Sequence, residues 1–159
     1  MNRFPIFLVF LGCILFASCE GPAGRDGLNG KDGVMNWDVW KHTVASSDWL
    51  LSGKEDAPNS YYYIDVTDDN LTSLISESSL VTVYAEYEDK DGNTVYSPLP
   101  VVRHYADTLN VGGQDTVVIY TQTYDYEFKE GVLTFAVTRS DFMTSNRPED
   151  VFYRIVYNW

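Results

Sequence analysis

Residues 116–128 most constrain what this chain can become. Val118, Tyr120, Tyr124, Tyr126 and Phe128 all fall on even positions. A side-chain period of two is that of an extended strand, and it places these residues on one face. Lys129-Glu130-Gly131 follows as a turn signal. The alternation then resumes over 132–138, where Leu133, Phe135 and Val137 share a face. Two long amphipathic strands joined by a short turn require an antiparallel sheet with one buried face.

The rest of the body repeats that grammar. Tyr61 to Val66 is rich in residues that strands favour. Over 80–88, Val81, Val83, Ala85 and Tyr87 alternate with Thr82, Glu86 and Glu88. Asp91-Gly92 reads as a tight turn into a strand at 94–97. Pro98 and Pro100 then favour an edge or a crossover, because proline cannot donate to a ladder. A strand at 101–106, a turn at Gly112-Gly113, a loop at 147–150 and a last strand at 151–158 complete the pattern. One helix is expected at 70–77, capped by Asp68 or Asp69, with Leu71, Leu74 and Ile75 on one face. Short strands divided by regular turn signals predict an all-β fold: a single antiparallel β-sandwich at 34–159 with at most one short helix.

Composition narrows the partners. The formal charge is −12, a surface that repels phosphates and makes nucleic acid a poor ligand. The chain has two cysteines, Cys13 and Cys19, and two histidines, His42 and His104.

The N-terminus differs from the body. Arg3 precedes a low-polarity run over 4–16, and Ala17-Ser18 precedes Cys19. The run is shorter than the roughly 20 residues a membrane-spanning helix needs, but it fits the apolar region of an export signal. Gly21-Pro22-Ala23, Gly24-Arg25-Asp26, Gly27-Leu28-Asn29 and Gly30-Lys31-Asp32 then place glycine at every third position up to Gly33, the period of a collagen helix. With one proline in that tract, the expected form is a flexible spacer; the alternative is a weak homotrimer through the Gly-X-Y repeat.

Phe16-Ala17-Ser18-Cys19 resembles the processing site of bacterial lipoproteins, with Phe16 where an aliphatic residue is usual. Phe10-Leu11-Gly12-Cys13 is a competing match, but it would strand apolar residues in the mature chain. A Gly-X-Y tract directly after the cysteine resembles a pattern in lipoproteins of the Bacteroidota. The resemblance implies a signal peptide at 1–18, removed on export, and a spacer at 19–33 that begins at a lipidated Cys19. Thioether-linked diacylglycerol and an amide-linked acyl chain such as palmitate would hold the protein in the outer membrane. Whether it faces the periplasm or the cell surface stays open. Cys13 would leave with the leader, so the mature domain would have no disulfide framework.

No motif for catalysis stands out. The histidines lack metal-ligand spacing, and nucleophile elbows and phosphate loops are missing. In Glu88-Asp89-Lys90-Asp91-Gly92-Asn93, glycine comes too early for a calcium loop. No metal, cofactor or catalytic residue is therefore assigned. Asp107-Thr108-Leu109 and Asp115-Thr116-Val117 resemble acceptor sites for O-glycosylation in exported Bacteroidota proteins, marking Thr108 and Thr116.

The leading expectation is a non-catalytic, lipid-anchored envelope protein displaying an interaction domain for an unidentified protein or glycan. The alternative is a carbohydrate-binding module, with Tyr120, Tyr124 and Tyr126 as ligand-binding candidates. Trp37, Trp40, Trp49 and Trp159 are expected chiefly to pack.

Overall fold

The computed structural model describes residues 36–159. The expected signal peptide, Cys19 and the Gly-X-Y tract lie outside them. The described residues form an all-β sandwich of two antiparallel sheets.

The strands are β1 (Trp37–Val44), β2 (Leu50–Ser52), β3 (Tyr61–Thr67), β4 (Leu80–Glu88), β5 (Thr94–Pro98), β6 (Val101–Val111), β7 (Gln114–Lys129), β8 (Val132–Arg139) and β9 (Val151–Asn158). One sheet has the order β1-β9-β4-β5 and the other β2-β3-β8-β7-β6. Two strands, β1 and β2, fall where no strand was predicted. β6 runs to Val111, well past residue 106, and pairs with β7 in unbroken register from Val101↔Tyr124 to Val111↔Gln114. Gly112 and Gly113, at φ 64° and 88°, close this hairpin. Two successive positive φ values make a type I′ turn, for which glycine has no steric cost. The chain crosses between sheets after β5, where Leu99 donates its amide to Val83 O at 2.9 Å.

The core fills the space between the sheets. Val81, Val83, Ala85, Tyr153, Ile155 and Tyr157 of one sheet face Tyr62, Val66, Leu133, Phe135 and Val137 of the other. Phe135 and Tyr153 stack across that gap with ring centroids 4.1 Å apart and planes within 4°. Trp49 is fully buried at the start of β2. Tyr157 donates its hydroxyl to buried Asp68 at 2.5 Å, and the Asn70 amide donates to the same carboxylate at 2.9 Å.

The helix is shorter than expected. α1 (Ser73–Ser78) starts three residues late, and its N-cap is Thr72 rather than Asp68 or Asp69. Asp68 is held by Tyr157 and the Asn70 amide, so its carboxylate serves the turn before the helix. Leu71 and Ile75 are buried, but Leu74 is 58% exposed. With Leu71 outside the helix, the expected three-residue apolar face does not form.

Candidate binding site

The even-numbered side chains of β7 face the sheet interface, as the period of two demands. Register aligns them in rows: Tyr62, Val137, Tyr124 and Val101; then Arg139, Gln122 and Arg103; then Tyr120 and Tyr105. Aromatic and polar rows thus continue the inner face of the five-stranded sheet beyond its apolar core. They border a recess of about 310 Å³, at the lower end of the roughly 300–1,000 Å³ usual for ligand pockets.

Of the three tyrosines singled out by sequence, the recess contains Tyr120 and Tyr124. Tyr126 is elsewhere: it donates its hydroxyl to Val81 O at 2.8 Å and so ties the two sheets together. Tyr120 is 7% exposed. It stacks on Tyr105 of β6 at 5.5 Å and carries the Arg139 guanidinium of β8 3.5 Å from its centroid, so neighbours on both flanking strands cover it. Tyr124 is half-buried, with its hydroxyl 3.4 Å from that of Tyr105. Burial, reinforced by that hydroxyl contact, pushes the Tyr124 phenol well above its ordinary range.

Both arginines of the recess are engaged by protein acceptors. Arg139 forms a bidentate pair with Asp141, through Nε at 3.1 Å and Nη2 at 2.9 Å. The pair raises the arginine and holds the Asp141 carboxyl below its usual range. Arg147 donates to the carbonyls of Ser47 and Trp49 at 2.9 and 3.2 Å. Stacked rings, the Arg139–Asp141 fork and the Arg147 bonds to main-chain carbonyls make this a polar layer, with Asp107, Gln122 and Glu149 also on its wall.

The outer face of the four-stranded sheet is built the opposite way. Odd residues of β1 and even residues of β9, β4 and β5 point outward. Register gives the rows Trp37, Asn158 and Leu80; Val39, Val156 and Thr82; Lys41, Arg154, Tyr84 and Pro98; and Thr43, Phe152, Glu86 and Tyr96. Trp37 is 69% exposed and Tyr96 38%. Trp37, Val39, Tyr84, Tyr96, Arg154, Val156 and Asn158 line a shallow groove of about 380 Å³. By strand spacing and rise, the diagonal from Trp37 to Tyr96 is about 25 Å. Lys41 and Arg154 approach the Tyr96 ring at 5.7 and 5.2 Å, near the outer limit for a cation–π contact. Lys41 also pairs with Glu86 at 2.6 Å.

The remaining candidates separate cleanly. Trp49 is buried and Trp40 packs against the core, whereas Trp37 and Trp159 are exposed. His42 faces inward against Phe135, and burial lowers its pKa. His104, Thr108 and Thr116 are exposed. The 88–93 segment is an Asx-type loop, in which Asp89 accepts from the amides of Asp91 and Asn93, both at 2.9 Å.

Sequence reasoning missed the outer groove. One signal was available: in β4, Tyr84 is the aromatic that shares the polar phase with Thr82, Glu86 and Glu88. A contiguous apolar patch on a face where solvent is expected marks a surface with a use, and Tyr84 is one member of that patch. No family model, curated protein or solved structure matches the chain.

Proposed function

We propose that this chain is a lipid-anchored, non-catalytic cell-envelope protein whose β-sandwich is an interaction domain, and that it captures glycan on the outer face of the four-stranded sheet. The anchor is Cys19, and the Gly-X-Y tract spaces the domain from the outer membrane.

The observation that carries the binding reading is the outer groove. Trp37 and Tyr96 leave ring area open to solvent at its two ends, while Arg154 and Asn158 stand between them. A sugar ring has an apolar C–H face and a hydroxyl edge. Rigid aromatic rings match the first at low entropic cost, and interspersed amide and guanidinium groups match the second. The diagonal suits an oligosaccharide rather than a single sugar.

Two experiments test the two halves. Metabolic labelling with a clickable palmitate analogue should mark the wild type and not Cys19→Ala; equal labelling removes the anchor. A broad glycan array probed with the processed protein should give binding that Trp37→Ala and Tyr96→Ala each weaken by about tenfold or more. Binding unaffected by both substitutions would remove the outer groove as the site.

A further inference from the structure

β6 ends the five-stranded sheet. It is an edge of eleven residues, whereas the opposite edge, β2, has three. Hydrogen-bonding parity settles which backbone groups face outward. The two-residue turn at Gly112-Gly113 makes Val111 and Gln114 a hydrogen-bonded pair. Counting back by twos, Leu109, Asp107, Tyr105, Arg103 and Val101 bond to β7. The β8 side agrees, since Ser140 donates its amide to Thr121 O at 2.9 Å, so odd residues of β7 bond to β8 and even ones to β6. The amides and carbonyls of Val102, His104, Ala106, Thr108 and Asn110 therefore point to the open edge. No backbone or side-chain group among the described residues bonds to them.

Natural sheets blunt such edges with proline, lysine, a bulge or inward-pointing charges. β6 has no proline or lysine and its register with β7 is unbroken; its inward charges, Arg103 and Asp107, are of opposite sign. Beside it, Val102, Val117 and Ile119 are 53%, 65% and 77% exposed on the outer face.

The geometry points to a second copy of this chain as the occupant: β6 pairs antiparallel with β6 of its partner about a two-fold axis at Tyr105. Outward-bonding residues must meet outward-bonding residues, so even positions pair with even ones. Centred on Tyr105, His104 meets Ala106 and Val102 meets Thr108 of the second copy. On the inner face, Arg103 comes opposite Asp107 twice, once on each side of the axis. Charge favours this register. Arg103 rests over the Tyr87 ring at 3.8 Å and has no carboxylate within 4.0 Å among the described residues. Asp107 lies near the Tyr120 hydroxyl and makes a long ion pair, 3.6 Å, to Arg139, whose fork is already closed by Asp141. Opposite charges directly across a strand pair stabilise the register, and like charges there destabilise it. Moving the axis to Ala106 keeps the parity but sets Arg103 against Leu109 and loses both charge pairs.

The test uses the processed lipoprotein in detergent, with near-UV circular dichroism to verify folding of each variant. Native mass spectrometry should find a dimer. Tyr105→Cys should cross-link the two copies under mild oxidation, while wild type and Thr123→Cys on β7 should not. Ala106→Pro removes an outward amide and no internal bond, and should weaken the dimer by about tenfold or more. Arg103→Asp and Asp107→Arg should each weaken it, and the two combined should restore it. A monomer, a trimer held by the Gly-X-Y tract without Tyr105→Cys cross-linking, or a dimer indifferent to Ala106→Pro would overturn the pairing.

Discussion

The two aromatic faces of this sandwich use similar residues for opposite ends. On the inner face, the rings at the centre find their neighbours within the chain: Phe135 lies on Tyr153, Tyr120 lies beside Tyr105 and Arg139, and Tyr126 reaches Val81 O, while Phe128 at the end of β7 stays 38% exposed. On the outer face, Trp37, Tyr96 and Phe152 hold positions that a sheet exposed to water would fill with threonine or charge. An aromatic side chain therefore says little about ligand binding until its faces and its polar atoms have been accounted for. Inner rings should govern stability, and outer rings binding.

Phe135→Ala should break the inner face most severely. The ring is fully buried at the centre of the sheet-to-sheet contact, and its removal should cost about 3–5 kcal/mol. Urea denaturation should show a lower midpoint with an unchanged slope. Tyr157→Phe is a smaller injury of another kind: it leaves buried Asp68 without its hydroxyl donor, and an under-satisfied buried acceptor costs about 1–3 kcal/mol. Tyr126→Phe deletes one inter-sheet hydrogen bond and keeps the ring, so the loss should be about 0.5–1.5 kcal/mol.

Acid provides a fourth probe of the inner polar layer. The Arg139 fork depresses the Asp141 carboxyl below its ordinary value of 3.8. A carboxyl depressed in the folded state contributes stability that is complete above the unfolded value and is lost as pH falls through the folded one. Stability should therefore decline below about pH 4, and Asp141→Asn should flatten that part of the decline in thermal melts taken across the range. On the outer face, Trp37→Ala should change stability by less than about 0.5 kcal/mol. A larger loss would mean that Trp37 is held by the fold, and the contrast between the faces would weaken.

Much of the fold was legible because amphipathic alternation reports burial directly. Residues 80–88 and 151–158 read as strands, and both are strands over that full length. β1 was missed because its two faces are alike in polarity: Trp37 and Val39 point outward while Asp38 and His42 point inward, so no alternation survives. The end of β6 was missed because Asp107 and Asn110 lower strand propensity; pairing with β7 overrides it. The helix start moved because Asp68 had a tertiary partner in Tyr157, which no local pattern reveals. The tyrosines at 120, 124 and 126 do share a face, as their spacing requires. That the face is interior depends on which sheet packs against it, a long-range property absent from the spacing. The outer groove was hidden for the same reason, since it assembles residues from both ends of the chain.

Glycan-array binding of wild type beside Trp37→Ala and Tyr120→Phe tests the division between the faces most directly. The account predicts that wild type and Tyr120→Phe bind the same glycans with similar strength, while Trp37→Ala loses about tenfold or more. Binding that survives Trp37→Ala but fails in a folded Tyr120→Phe, or a wild type that binds nothing on the array, would contradict it.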